Sequence, residues 1–133
     1  MISLVIKLCI LTTLLFIITK ACDFKVVIVS STDKDYFVQI KAPNGTASEL
    51  FHFKKGGQKE SLQVTGENCG LNMTTANTYK VNPDGTRGQR LHQTKAMLDG
   101  MGLVRYSLIA DGQIMIDSRA GVMCAFAICG GRG

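Results

Sequence analysis

Beyond residue 21, no stretch of this sequence sustains a 3.6-residue apolar period, and that constrains the fold more than any other feature. Short runs rich in β-branched and aromatic residues alternate instead with turn-forming pairs. Phe24–Val29 is apolar on both faces, as a central strand requires. In Tyr36–Lys41, residues Tyr36, Val38 and Ile40 share one face and Phe37, Gln39 and Lys41 the other. Pro43-Asn44-Gly45 then dictates a turn, because proline presets φ and Asn-Gly tolerates positive φ. Further strands are expected at Leu50–Phe53, around Leu62 and Val64, and briefly at Tyr79–Val81. Asp111-Gly112 marks a hairpin between Leu103–Ala110 and Gln113–Asp117, and Arg119–Gly121 turns the chain into a final strand, Val122–Ile128.

Two segments read differently. Glu67–Thr78 has the composition of a loop held by its cysteine, and Thr86–Gly102 is ambiguous, with room for a helical turn at Gln93–Leu98. About seven or eight short strands at this spacing predict an all-β domain, an antiparallel β-sandwich or an open barrel. Its expected core comprises Val26, Ile28, Val38, Ile40, Phe51, Phe53, Ile114, Ile116 and Phe126. No fixed-period repeat and no linker divides it.

The first residues have another character. Lys7 and Lys20 bracket twelve residues without a charge, from Leu8 to Thr19. As a helix that run spans about 18 Å, short of the ~30 Å hydrocarbon core of a bilayer. A basic start, a short apolar run and small residues at Thr19 and Ala21 make residues 1–21 a secretory signal peptide cut after Ala21. The expected organisation is therefore signal peptide 1–21, a single β domain 22–129 and a flexible Gly-rich tail 130–133. Losing Lys7 and Lys20 takes the basic residues from 15 to 13 against 10 acidic ones, a net charge of +3. That balance, scattered along the chain and without tryptophan, argues against a nucleic-acid partner.

Export explains the cysteines. Cys22, Cys69, Cys124 and Cys129 remain after cleavage, and four cysteines in a short exported chain predict two disulfides. Antiparallel terminal strands would bring Cys22 to Cys129, leaving Cys69 for the inward-facing Cys124. Cys22–Cys124 is the alternative the strand parity allows. Asn44-Gly45-Thr46 and Asn72-Met73-Thr74 are glycosylation acceptors.

Chemistry is harder to find. On a strand His52 points away from the face of Phe51 and Phe53, and Ser61, His92 and Asp99 have no spacing that makes them converge. Asp33 and Asp35 supply two carboxylates, but the rest of a calcium loop is missing. Cys124 and Cys129 lack the spacing and the histidine of a zinc knuckle. No catalytic residue, metal or cofactor is expected. Lys54, Lys55 and Lys59 form one basic cluster, and Arg87, Arg90, His92 and Lys95 another; either suits an acidic glycan or lipid headgroups, or is simply a solvated turn.

The expected function is a secreted non-enzymatic module binding an extracellular protein or glycan, with no membrane span in the mature chain. An enzyme inhibitor or antimicrobial effector is one alternative. A carrier of a small apolar ligand, suggested by Met73, Met97, Met101, Met115 and Met123, is another. N-terminal sequencing of secreted material is expected to begin Cys-Asp-Phe at Cys22; a membrane-bound chain retaining Met1 would refute the processing.

Overall fold

In a computed structural model, residues 2–15 and 21–129 are described. Thr19, Lys20 and the Gly-rich tail therefore lie outside the described residues, as does the side chain of Phe126. Ile2–Leu15 forms the one α-helix among the described residues, α1, and no described helix is long and apolar enough to cross a membrane. The remainder is all-β. Seven strands form one nearly closed, barrel-like sheet: β1 Ala21–Ser30, β2 Tyr36–Lys41, β3 Phe51–Phe53, β4 Lys59–Glu67, β5 Thr74–Val81, β6 Arg87–Leu108 and β7 Ile114–Cys129.

The order β3-β2-β5-β6-β1-β4 carries β7 on the far edge of β6. Ala96 pairs with both Thr74 of β5 and Cys129 of β7, and Leu103 with both Lys25 of β1 and Ala120 of β7. Along one edge of β6, β5 is therefore succeeded by β1, which runs parallel to it. A strand that changes partners midway has to bend. The bend falls at Asp99–Gly102, where the register with β7 slips between Gly100 and Leu103. Gly102 has φ +153, and a Cβ there would stand 1.9 Å from the Ala120 carbonyl oxygen.

Inside, Phe24, Val26 and Ile28 of β1 meet Val38, Ile40, Phe51, Phe53, Leu98, Val104, Tyr106, Leu108 and Ile114, all buried. Period-2 alternation produces this: odd and even residues of each strand take opposite faces. Ile116, expected in the core, is only partly buried against it. The methionines named as ligand-adapting do not belong to the buried core either, and Met101 and Met123 are exposed.

Three sequence expectations are corrected. Arg87–Gly102 is continuous strand, with no helical turn, because β5 supplies its partners from Arg87 to Ala96 and β7 supplies them from Ala96 onward. The expected loop Glu67–Thr78 is a 3-10 turn, Cys69–Leu71, and then the start of β5. The disulfides join Cys22 to Cys69 and Cys124 to Cys129, not Cys22 to Cys129 and Cys69 to Cys124. β6 lies between β1 and β7, so Cys22 does not meet the end of the last strand. It pairs with Gly66 instead, and the chain turns back at Cys69 with a Cα–Cα distance of 6.1 Å. In β7, Cys124 faces Leu98 and Cys129 faces Ala96; five steps on β7 match two on β6. The surplus bulges out and brings the two Cα atoms to 5.2 Å.

Gly102→Ala is expected to cost about 3 kcal/mol in chemical denaturation, from backbone strain plus the displaced carbonyl. A change within a few tenths of a kcal/mol would show that the corner adapts without its glycine.

Candidate functional site

Where β2, β5 and the first half of β6 lie side by side, the faces turned from the core line up in register. Lys41 pairs with Thr75 and Thr75 with Lys95, giving a row of two lysines flanking a threonine. Gln39, Asn77 and Gln93 form the next row, and Phe37, Tyr79 and Arg90 the third, which His52 extends on β3. Their neighbours Tyr36, Val38, Ile40, Thr74, Ala76, Thr78, Thr94 and Ala96 are buried, so alternation leaves these rows outward.

The bulge between Thr78 and Tyr79 sets the last contact. Thr78 faces His92, Tyr79 faces Arg90, and Leu91 is left between them. Without that extra residue Arg90 would point inward.

Much of this face is held in place. Gln93 Nε2 donates to Asn77 Oδ1 at 2.9 Å, and Gln39 Nε2 donates to the Ser48 carbonyl at 3.0 Å. The Arg87 guanidinium sits 4.7 Å above the centroid of the Tyr79 ring, and the His52 ring lies 4.5 Å from that of Phe37. Thr75 and Asn77 are buried although they face outward, because the longer flanking side chains cover them. Lys41, Arg90 and Lys95 are exposed. The depression they border, about 520 Å³, is lined by Gln39, Lys41, Thr75, Asn77, Tyr79 and Arg90 among others, with no carboxylate.

Of the residues singled out in the sequence, few come together. Ser61 pairs with Val27, which pairs with Arg105, so Ser61 is level with a point on β6 more than a dozen residues beyond His92. His92 serves the backbone: its Nδ1 accepts the Ile114 N–H at 3.2 Å. Asp99 caps its own neighbour, Oδ1 accepting from the Gly100 N–H at 2.9 Å. Asp33 Oδ1 accepts the Gly56 N–H at 2.9 Å, whereas Asp35 Oδ2 lies 3.4 Å from His52 Nε2. Those two carboxylates therefore serve different partners. No three His, Cys, Asp or Glu side chains among the described residues are grouped to hold a metal.

Arg90 and Lys95 belong to a strand rather than to the basic turn their neighbours suggested. Lys41 went unnoticed because its row exists only once β5 is placed between β2 and β6. The alternation of Gln39 and Lys41 with core residues was the available signal. The acceptors Asn44 and Asn72 are both exposed. No protein-family model matches the chain, and no curated protein matches it.

Two titratable groups stand apart from their ordinary values. The Thr86 hydroxyl and N–H both donate to Asp84 and hold its carboxyl below the usual range, as part of the exposed turn. Burial pushes the Tyr106 phenol well above its usual value, and its hydroxyl has no hydrogen-bond partner among the described residues. A phenol held protonated in the fold but free to ionise when unfolded leaves stability intact below pH ~10 and erodes it above. Tyr106→Phe is expected to remove that alkaline loss, measured as the melting temperature between pH 8 and 11, without loss of stability at neutral pH. An unchanged alkaline slope would contradict it.

Proposed function

We propose that the chain is a secreted, non-enzymatic binding protein whose outer β2–β5–β6 face takes an acidic glycan. One observation carries this reading: the registered rows place Lys41, Lys95 and Arg90 around an amide ladder with no carboxylate lining the depression. Lysines two strands apart in one row have their backbones roughly 10 Å apart, across a patch that carries positive charge without neutralisation. A chain of sugars bearing carboxylates or sulfates at intervals meets such a surface with charge, and its hydroxyls meet amides that both donate and accept.

The remaining side chains favour a glycan over other polyanions. Single-stranded nucleic acid needs open aromatic faces for its bases, but Arg87 covers Tyr79 and His52 packs on Phe37. A protein partner would be expected to find an exposed aromatic anchor at the centre, and here the centre is Asn77. Secretion is supported by the apolar leader, the two disulfides and the exposed Asn44 and Asn72 acceptors.

The test is binding of the secreted protein to sulfated and carboxylated oligosaccharides and to neutral dextran. Binding should be confined to the acidic chains and should weaken as salt rises. Lys41→Gln with Lys95→Gln should lower affinity about tenfold. Lys54→Gln with Lys55→Gln, in the turn before β4, should leave it unchanged. Equal binding to dextran, or indifference to the first pair of changes, would defeat the proposal.

A further inference from the structure

A second surface is independent of the glycan reading. β4 pairs with β1 through nine consecutive residues without a register shift, and among the described residues no strand pairs with its other edge. The phase of that pairing decides which backbone groups are left over. Ser30 N–H donates to the Gln58 carbonyl, so the even-numbered residues that follow turn their N–H and C=O toward β1. Ser61, Gln63 and Thr65 turn theirs outward. A cleft of about 420 Å³ separates this edge from the Ala42–Phe51 segment.

Edges of this kind attract other strands unless they are short, bulged, charged, blocked by proline or covered by another segment. The sheet's other two edges have such guards. β3 is only three residues long, and β7 is distorted by the bulge that the Cys124–Cys129 bridge closes. β4 is nine residues long, pairs without a register shift and is free of proline, and its charges, Lys59, Glu60 and Glu67, lie toward its two ends.

We infer that β4 is a self-pairing edge, and that its occupant is β4 of a second copy of this chain. Its sequence is complementary to itself when reversed. A two-fold axis at Gln63 sets Lys59 opposite Glu67, Ser61 opposite Thr65 and Gln63 opposite Gln63. The residues it brings face to face are those whose N–H and C=O point outward, so each of Ser61, Gln63 and Thr65 donates one main-chain hydrogen bond and accepts one. Moving the axis by a residue loses the match of lysine with glutamate. Opposite charges across a strand pair stabilise it, and like charges oppose it. The Gln63 side chain, which donates to Asp23, is not needed.

Sedimentation of the full secreted chain over a range of concentrations tests the pairing. The wild-type protein should form dimers, and Lys59→Glu should raise the dissociation constant at least tenfold. Lys59→Glu combined with Glu67→Lys should restore it. Gln63→Pro should yield monomers with an unchanged melting temperature, since the lost N–H serves no bond within the barrel. A wild-type monomer at every concentration overturns the inference. So does a dimer that tolerates Gln63→Pro, or a double reversal that fails to recover association. Because Lys59→Glu and its reversal keep the strand's backbone intact, they decide the matter even if the proline variant does not fold.

Discussion

β6 has to turn a corner without losing the strand beside it. It is 22 residues long, flanked on one edge first by β5 and then by β1, and on the other by β7. A sheet that stayed flat would force β5 and β1 to compete for one line of hydrogen bonds. Bending lets them share it end to end, at the cost of bringing two backbones into contact. Gly100 and Gly102 on β6 face Gly121 on β7 across that contact, all with positive φ. A Cβ at Gly121 would come within 2.1 Å of the Met101 carbonyl oxygen. Side chains are excluded there by the approach itself as well as by the backbone angles. The corner also makes the parallel β1–β6 pairing possible, and with it the burial of Phe24, Val26 and Ile28.

That geometry explains which parts of the sequence were legible. Tyr36–Lys41 and Phe51–Phe53 show their faces plainly, because each inward position carries a large apolar side chain. In Arg87–Gly102 the inward positions before the bend are His92, Thr94, Ala96 and Leu98, and with only the last large and apolar they produce no sustained alternation. Asp99-Gly100-Met101-Gly102 has the composition of a turn, yet it is a bulge that keeps its partner. The cysteine pairing failed for a related reason. Composition gives the number of bridges, but their connectivity follows from strand order, and a parallel neighbour reverses which ends meet. The proposed binding face was hidden by the same gap. Thr74–Thr78 has the composition of a loop, so the strand that joins Lys41 to Lys95 was missing from the reading.

Polar residues do work on this sheet that apolar ones could not. Thr78 and Thr94 face inward, buried, and their hydroxyls donate to the Gly112 and Ile114 carbonyls. Those bonds fasten the β6–β7 hairpin over the interior end of β5, where His92 accepts from Ile114. A buried hydroxyl without a partner is costly, and paired it ties two elements at a fixed register. On the outer face the bond from Gln93 to Asn77 does the same across β6 and β5. Side chains fixed in this way have less rotamer entropy left to lose on any further contact.

The two proposed surfaces use different parts of the molecule. The lysine rows belong to β2, β5 and the first half of β6, whereas the self-pairing edge is β4, which a cleft separates from the Ala42–Phe51 segment between β2 and β3. Pairing through β4 uses none of the residues of the lysine rows. Two such faces in one assembly change what a weak site can do. Exposed charge contacts contribute little individually, in the range of about 0.2–1 kcal/mol each. A long acidic chain held by one face meets the second at an effective concentration set by the chain between them, and avidity gains of roughly 10²–10⁴-fold follow when the span fits. A mildly basic protein can then favour polymers with repeated charge over single sugars or small anions. On the proposed function, selectivity would come from repetition and would need no deep pocket.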